Sequence, residues 1–261
     1  MRRENLEGRP LSIEMLSLCK AQESYAKVLT SKFSLLVSIK VEVRTTADGS
    51  STLYVPALDE HYHSTHGAIQ EAMHVYLGAA LEPALATGQS PVRVLEIGFG
   101  TGLNALLTLQ RSLTASAAVA YDTIEKYPLS PAVIERLEAG RYLLNPELLG
   151  YYEQLHAAAW DEAVPLLPRF LLRKITGALQ ETHLAASHYN VIYFDAFAPE
   201  KQPDMWTDEV FVQLYEAAAP GCLLTSYCAK GSFRRSLKAA GWLVEKLPGP
   251  VGKKEITRAV K

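Results

Sequence analysis

Residues 92–109 read VRVLEIGFGTGLNALLTL. The apolar, β-branched run Val92–Ile97 predicts a buried strand, and the apolar spacing over 103–109 predicts a helix. Residues 98–102 form a glycine-rich turn between them. Strand, glycine turn and helix open a nucleotide-binding βαβ unit, because glycines let the backbone approach a ligand and the helix start offers free N–H groups.

The spacing of the glycines narrows the choice of ligand. A dinucleotide fingerprint reads G-x-G-x-x-G/A, whereas here Gly102 comes one residue early and Leu103 fills the position given to Gly or Ala. An NAD oxidoreductase is therefore disfavoured. With Glu96 ahead of it, the pattern E-x-G-x-G-x-G resembles motif I of class I S-adenosylmethionine (SAM) methyltransferases, whose loop wraps the methionine moiety of SAM. From this stretch alone, a structural turn or another nucleotide site stays open.

The rest of the chain alternates strand-like and helix-like segments, which predicts the α/β class. We expect one Rossmann-like sheet of the class I methyltransferase type, mostly parallel with an antiparallel last strand, and an N-terminal β-hairpin extension. At 261 residues, 48% of them apolar, the chain can build one large domain with an extension. We assign 1–38 to an extension of uncertain order, 39–90 to a hairpin and helix packing on the core, and 91–261 to the methyltransferase domain.

Two local signals precede the core. Asp48-Gly49 separates the β-prone runs 39–46 and 52–56, which predicts a hairpin. The run HYHSTH at 61–66 holds three histidines, but no Cys or His recurs at a ligand spacing, so we expect a polar loop rather than a metal site. Ser64 or Thr65 would then cap a helix over 67–81.

Acidic residues follow two predicted strands where such a fold binds its cofactor. Glu125 ends the strand 117–124 and can accept hydrogen bonds from both ribose hydroxyls, with a strand-end surface charge as the alternative. Asp161 ends a strand predicted over 154–160 and would reach the adenine amino group. It could equally cap a helix predicted over 162–173, and both roles are compatible.

The fourth predicted strand, 188–194, runs into DAFAPEKQPDMW at 195–206. This segment resembles the signature D-[GA]-F-A-P-x-x-x-P-[DE]-M-W of the MnmC-type methyltransferases. That family comprises the SAM-dependent domain of bacterial bifunctional tRNA 5-methylaminomethyl-2-thiouridine biosynthesis proteins and its stand-alone relatives. Four further segments are similar: EIGFGTGLN at 96–104, IEKYPL at 124–129, SFRRSL at 232–237 and GKKE at 252–255. The resemblance covers about residues 52–261.

The resemblance implies methylation of 5-aminomethyl-(2-thio)uridine at the tRNA wobble position to 5-methylaminomethyl-(2-thio)uridine. The bifunctional proteins also carry an FAD-dependent oxidoreductase domain, which is absent from this sequence, so we expect SAM but neither FAD nor a metal. Asp195 is the candidate catalytic residue, because a carboxylate beside the methyl donor can orient the amine and take up its charge. Enzymes that make the aminomethyl precursor would be functional partners.

The resemblance also assigns binding residues. The cofactor set is Glu96, Gly98, Phe99, Gly100, Thr101, Gly102, Asn104, Glu125, Lys126 and Asp161. The substrate set is Gln70, Glu71, Phe197, Pro199, Met205, Trp206, Arg234, Arg235, Lys253 and Lys254. Surface charge is the alternative for Gln70 and Glu71, and plain packing is the alternative for the four residues between 197 and 206.

The charges are unevenly distributed along the chain. Residues 230–261 hold nine Lys/Arg and two Asp/Glu, a local charge of +7, while the rest carries −9. Five basic residues there could follow the tRNA backbone: Arg234, Arg235, Lys253, Lys254 and Arg258. Such contacts supply affinity rather than sequence recognition. A solvated charged face is the alternative.

Three cysteines without a disulfide or metal spacing, no secretory leader and no apolar run of membrane length predict a cytoplasmic protein that binds no membrane. Two other functions compete with tRNA methylation. A SAM-fold transferase acting on a small free amine would work without RNA. A non-catalytic RNA-binding partner would bind RNA but no SAM, and the intact glycine loop and Asp195 argue against it.

Overall fold

The computed structural model describes residues 40–261. The strands are β1 (Glu42–Thr45), β2 (Ser51–Val55), β3 (Glu60–His61), β4 (Val92–Ile97), β5 (Val119–Glu125), β6 (Ala163–Leu167), β7 (Phe170–Thr176), β8 (Tyr189–Phe194), β9 (Ala218–Ser226), β10 (Leu243–Pro248) and β11 (Glu255–Val260). The helices are α1 (68–86), α2 (Leu103–Ser112), α3 (Pro131–Arg136), α4 (Pro146–Ala157), α5 (Asp208–Ala217) and α6 (Gly231–Ala239), with 3₁₀ turns at Ala139–Arg141, Leu179–Glu181 and Pro203–Trp206. The extension predicted over 1–38 lies outside the described residues.

Eight strands form the central sheet in the order β10-β11-β9-β8-β4-β5-β7-β6. The five middle strands, β9 to β7, run parallel, whereas β11 is antiparallel to both of its neighbours and β6 is antiparallel to β7. The mostly parallel Rossmann-like sheet with an antiparallel last strand is therefore confirmed. The hairpin predicted around Asp48-Gly49 is confirmed as β1 and β2, which join β3 in a separate antiparallel sheet.

Strand β4 lies at the centre because its residues are apolar toward both faces. Val94 packs into a core shared with α1, α2 and α4, and the next residue, Leu95, packs into a second core shared with α5 and α6. Both side chains are fully buried. A parallel strand covered by helices on both faces reads as a continuous apolar run, which explains the sequence pattern.

The region between α3 and β8 differs from the prediction. Residues 154–157 are the end of α4, not a third strand, and 163–176 form the hairpin of β6 and β7, not a helix. Pro146 is the first residue of α4, and the Asn145 side chain caps this helix. Strand β7 alternates buried and exposed residues with a period of two. Short apolar runs fit both the helical and the strand period, so the prediction from sequence assigned a strand to part of a helix and a helix to two strands.

Helix α1 extends further than predicted and has a different cap. It consists of an α-helical turn Ala68–Ala72, a π-helical segment Met73–Leu81 and a second α-helical turn Glu82–Ala86. Neither Ser64 nor Thr65 caps it. The Asp48 carboxylate accepts from the Gln70 backbone N–H at 3.1 Å instead, so the β1–β2 turn supplies the cap from a distance in the sequence. Within residues 40–261, none of the helices has the length and apolar character needed to cross a bilayer.

Candidate active site

The site lies where the order of the sheet reverses. From β4 the chain builds β5 and β7 on one side, then crosses to β8 on the other, and ligands of open α/β sheets bind at such a switch point. The Asp195 backbone N–H donates to the Ile97 carbonyl at 3.1 Å. A Cβ on Gly98, whose φ is +94°, would meet the Asp195 carbonyl oxygen at 2.7 Å. Only glycine allows these two strand ends to approach so closely.

The glycine loop is enclosed by aromatic rings on both sides. A Cβ on Gly100 would lie 3.1 Å from the Tyr62 ring, and one on Gly102 would lie 3.0 Å from Phe99 and 3.1 Å from His156. Both glycines have positive φ. The loop therefore has no room for side chains, which matches a cradle for a ligand that contacts backbone atoms.

Two neutral histidines hold Thr101 within that loop. His156 Nε2 lies 3.1 Å from the Thr101 carbonyl oxygen, and His63 Nε2 lies 3.4 Å from its hydroxyl. Burial lowers the pKa of each ring to about 4. His63 belongs to the predicted HYHSTH loop, and among the described residues no group of His, Cys, Asp and Glu could hold a metal ion.

Glu125 connects the end of β5 to the glycine loop. Its carboxylate accepts from the Gly100 N–H at 3.1 Å and from the Tyr127 N–H at 2.8 Å. Burial raises the pKa of this carboxyl, and those backbone hydrogen bonds oppose the rise. The remaining lone pairs suit a diol, as a ribose would present. Lys126, the next residue, is exposed, and its ammonium lies over the Tyr127 ring.

Asp195 has one hydrogen-bond donor on each carboxylate oxygen. The Tyr76 hydroxyl donates to Oδ1 at 2.5 Å, and the Asn104 side-chain amide donates to Oδ2 at 2.9 Å. Burial raises the pKa of Asp195 to about 6, a rise that the Tyr76 hydrogen bond opposes and the nearby Glu71 carboxylate reinforces. A carboxylate with such a pKa is charged at neutral pH and basic enough to accept a proton.

Glu96 lies beneath the loop and is fully buried, so it does not face solvent. Neither of its carboxyl oxygens has a hydrogen-bond partner among the described residues, although Thr123, Asn104 and Tyr121 lie beside it. Burial raises its pKa to about 8, so the neutral acid dominates at neutral pH. Asn104 Oδ1 is also buried without a partner. Glu96 therefore supports the loop from within the protein, and its predicted contact with a cofactor stays a prediction.

Glu71 and Lys253 form an ion pair at the opening of the site. Lys253 Nζ contacts Glu71 Oε1 and lies 4.2 Å from the centre of the Tyr227 ring. The other Glu71 oxygen accepts from the Ser64 N–H at 2.9 Å. An open cleft of about 450 Å³ adjoins this pair and is lined by Tyr227, Ala229, Lys253, Lys254 and Glu255. Gln70, predicted with Glu71, is exposed.

Asp161 keeps its place at the carboxyl edge of the sheet although the predicted strand before it is absent. Trp160 bridges to Lys174 of β7, and the Asp161 carboxylate accepts from the Thr176 N–H at 2.9 Å. Thr176 is the sheet neighbour of Glu125. The helix-cap role is wrong, because a hairpin follows Asp161 and not a helix.

The DAFAPEKQPDMW segment divides between site and core. Phe197 packs edge-on against Tyr62 at 5.1 Å, and Pro199 is half-buried beside it. Met205 is 6% exposed and packs in the core of α5 and α6, and Trp206 packs among Phe194, Phe211 and Phe233. Met205 is therefore a core residue and not a substrate contact, whereas Trp206 is half-buried and its substrate role stays a prediction.

The basic residues of 230–261 are mostly engaged within the protein. Arg234 is 8% exposed and donates to Thr257, Glu255 and Ile256, so the prediction that it follows a tRNA backbone is wrong. Arg258 pairs with Glu245 and donates to the Ala79 carbonyl. Arg235 and Lys254 are exposed.

Sequence reasoning missed several residues that line this site: Tyr62, His63, Tyr76, His156 and Tyr227. Tyr76 and His156 lie inside helices, and Tyr227 follows β9 with no motif around it. Tyr62 and His63 belong to the histidine-rich run, which is the one local signal for any of the five.

Comparison with known proteins agrees with this geometry. A family model for S-adenosyl-L-methionine-dependent methyltransferases matches residues 160–261. The chain is 34% identical over 218 residues, 79% of its length, to the tRNA 5-methylaminomethyl-2-thiouridine biosynthesis bifunctional protein MnmC of Cupriavidus necator. The corresponding protein of Pseudomonas fluorescens is 34% identical over 77% of the chain. Over these residues the chain is similar to the MnmC-type methyltransferases.

The match is to a part of those relatives, since the chain spans 32% of the length of each. Two solved structures share the fold. MnmC2 of Aquifex aeolicus superposes with a TM-score of 0.67 at 24% identity, covering 93% of this chain and 83% of the other. Spermidine synthase of Thermotoga maritima superposes with a TM-score of 0.51 at 17% identity, covering 85% and 69%. The family's methyl donor is SAM.

Proposed function

We propose that this chain is a SAM-dependent N-methyltransferase. Its substrate is 5-aminomethyl-(2-thio)uridine at the tRNA wobble position, and its product is 5-methylaminomethyl-(2-thio)uridine. The observation that carries the proposal is Asp195, a carboxylate of raised pKa placed against the glycine loop by the DAFAP segment. The relatives named for 5-methylaminomethyl-2-thiouridine biosynthesis supply the substrate class.

The cradle fits SAM in its shape and donor set. Gly98, Gly100 and Gly102 keep the loop free of side chains, so that the methionine end can contact its backbone, and Glu125 offers acceptors to the ribose hydroxyls. Asp161 and Lys126 at the same sheet edge would lie toward the adenine. SAM, when bound, supplies an electrophilic methyl group on sulfur, and its C–S bond breaks as the N–C bond forms.

Asp195 prepares the nucleophile. An ammonium nitrogen has no free electron pair, so the substrate amine must lose one proton before it attacks. Asp195, ionised at neutral pH, accepts that proton on a carboxylate oxygen, and the electron pair left on nitrogen forms the bond to the methyl carbon. The product is a secondary ammonium, which the nearby Glu71 carboxylate stabilises electrostatically, and Asp195, now a neutral acid, passes its proton to solvent before the next turnover.

The cleft beside Lys253 and Tyr227 is the proposed entrance for the modified nucleotide. Phe197 and Pro199 form one wall of the site, and Glu71 lies at its mouth. Exposed Arg235 and Lys254 would contact tRNA phosphates. We place the protein in the cytoplasm with its tRNA substrate, downstream of an enzyme that releases the 5-aminomethyl group, with neither FAD nor a metal in this reaction.

The deciding experiment compares Asp195→Asn with the parent protein on tRNA that carries 5-aminomethyl-2-thiouridine. Single-turnover methylation at saturating SAM, followed by nucleoside mass spectrometry, should show a rate about 10²–10⁴-fold lower for the variant. Calorimetry should show unchanged SAM affinity. Asp204→Asn, an exposed acid of the same segment, is the matched control and should behave like the parent.

Three results would contradict the proposal. A rate for Asp195→Asn within about threefold of the parent rate would make Asp195 structural, because that difference is well under 1 kcal/mol of barrier. Turnover of free polyamines or other small amines without RNA, and none of the tRNA, would favour the small-amine transferase. RNA binding without SAM binding would favour a non-catalytic partner.

A further inference from the structure

Tyr76 is a buried tyrosine that makes its hydrogen bond to the proposed catalytic carboxylate. Its side chain is 2% exposed, its hydroxyl lies 2.5 Å from Asp195 Oδ1, and its ring packs 5.2 Å from that of Tyr193. It sits in the middle of α1, 119 residues before Asp195 in the sequence. Tyr76 belongs neither to the strand ends and glycine loop that bind ligands in this fold nor to the segment that follows Asp195.

The winding of α1 determines where Tyr76 points. In an α-helix, residues five apart differ by about 140° around the axis, so Glu71 and Tyr76 would lie on different faces. Here the Tyr76 hydroxyl bonds to Asp195, and the Glu71 carboxylate is near enough to raise the pKa of Asp195. The π-helical segment Met73–Leu81, which begins two residues after Glu71 and contains Tyr76, contributes to this, because its hydrogen bonds span five residues, as the bond from the Glu82 N–H to the Leu77 carbonyl shows. Each turn then holds more residues, which moves residues five apart closer together.

The π-helical winding crowds its own backbone. A Cβ on Gly78 would lie 3.2 Å from the Met73 carbonyl oxygen, closer than most Cβ contacts. Such segments are rare, usually span a single turn, and occur often at functional sites.

We propose that Tyr76 is a positioning residue for Asp195, and that the π-helical segment of α1 exists to place it. The inference rests on the proposed function. Tyr76 and Asn104 each hold one oxygen of Asp195, which fixes the rotation of the carboxylate. The free lone pairs then have one direction in which to receive the proton of the amine. Tyr76 acts through Asp195 and does not itself touch the reacting atoms.

The electrostatic surroundings of Asp195 make this role measurable. The groups that face it are Tyr76 and Glu71 of α1, Asn104 of α2, Lys253 of the β10–β11 loop, Tyr227 after β9 and Glu96 of β4. Hydrogen bonds from Tyr76 and Asn104 favour the charged carboxylate, as does Lys253, whereas burial and Glu71 oppose it. Loss of the Tyr76 hydroxyl removes a donor to the charged form and so raises the pKa of Asp195 above about 6.

The test compares Tyr76→Phe with Tyr193→Phe. Tyr193 is the matched control, because it is fully buried, packs on the Tyr76 ring and lies two residues before Asp195, while its hydroxyl contacts Thr108 at 3.2 Å. In Tyr76→Phe, kcat for tRNA methylation should fall about tenfold, the equivalent of one lost hydrogen bond at about 1.4 kcal/mol. KM for SAM should stay unchanged, and the acidic limb of kcat/KM should move to higher pH. In Tyr193→Phe, kcat, KM for SAM and the acidic limb of kcat/KM should all match those of the parent.

A second measurement separates this inference from the proposed function. The carboxyl ¹³C signal of Asp195, assigned with Asp195→Asn, is titrated in the protein without substrate. Tyr76→Phe should titrate at higher pH than the parent and Tyr193→Phe should coincide with it, even if the tRNA turns out not to be the substrate. Superimposed titrations for parent and Tyr76→Phe would overturn the inference. An equal shift in Tyr193→Phe would overturn it as well, because the effect would then be general repacking.

Discussion

At the scale of single residues, Glu125 shows how one carboxylate serves both the loop and the proposed ligand. It holds the Gly100 and Tyr127 N–H groups, and we propose that it also accepts hydrogen bonds from the ribose hydroxyls. Replacement by alanine would disturb the loop as well as the ligand contact. Replacement by glutamine keeps the length and one carbonyl acceptor but removes the charge, and is the cleaner change.

For Glu125→Gln we expect weaker SAM binding, by about 1.5–3 kcal/mol, the usual cost of hydrogen bonds to a charged acceptor. Isothermal titration calorimetry measures this directly. Glu135→Gln, an exposed glutamate of α3, is the control and should bind SAM like the parent. Equal affinity in the two variants would place Glu125 outside the cofactor site.

Residues were predictable when they followed a strand or lay within a motif. Asp195, Glu125 and the three glycines end parallel strands or link a strand to a helix, and the carboxyl ends of such strands meet at one edge. Tyr76 and His156 lie inside helices, and only tertiary packing brings them to that edge. A sequence pattern with helical period does not reveal a change from α to π winding.

At the scale of elements, the cap of α1 is built by a turn distant in sequence. The Asp48 carboxylate accepts from the Gln70 N–H at 3.1 Å and from the Ser50 N–H at 3.1 Å. One side chain therefore both closes the β1–β2 turn and caps the N-terminus of α1. A Cβ on Gly67 would lie 2.7 Å from this carboxylate, which explains a glycine before the helix. Local cap signals at Ser64 and Thr65 could not reveal a cap from so far away.

For Asp48→Ala we expect the free energy of unfolding to fall by about 1 kcal/mol, the typical cost of losing a helix cap. Urea denaturation followed by circular dichroism measures it. Asp48→Asn keeps one oxygen, which can still accept from the Gln70 N–H, and should lose less. If alanine and asparagine destabilise equally, the charge of Asp48 and not its cap hydrogen bonds is what stabilises α1.

The hairpin of β6 and β7 shows that hydrophobic periodicity alone does not always distinguish a strand from a helix. The predicted helix over 162–173 and the observed strands share the same apolar residues, and β7 is recognisable as a strand only because it pairs with β5 over its whole length. Pairing partners of that kind lie far apart in sequence, as Val119 and Phe170 do. Asp161 nevertheless reaches the predicted edge, because Trp160 bridges to β7.

At the scale of the whole molecule, the sheet was predictable because alternation of strands and helices permits few topologies. The basic surface was not predictable, because a count of charges does not tell which side chains form ion pairs within the protein. Arg234, Arg258 and Lys253 form ion pairs with Glu255, Glu245 and Glu71. The +7 of residues 230–261 therefore overstates the charge offered to a polyanion.

The ion pairs change which residues test tRNA binding. Lys253 is tied to Glu71, and its replacement would disturb the site, whereas Arg235 and Lys254 are exposed. For the double variant Arg235→Glu and Lys254→Glu we expect a higher KM for tRNA and an unchanged affinity for SAM. The dependence of log KM on log salt should flatten by about one for each phosphate that is no longer neutralised, because fewer counterions are released.

Arg169→Glu is the matched control for this prediction. Arg169 is exposed and precedes β7, so it lies at the edge of the sheet opposite the site. Its reversal changes the net charge in the same direction without touching the proposed tRNA face, and so should leave the salt dependence of KM as in the parent. If the double variant and Arg169→Glu weaken tRNA binding equally, the attraction is a long-range effect of net charge. If neither does, residues 230–261 form a solvated face and the tRNA binds elsewhere.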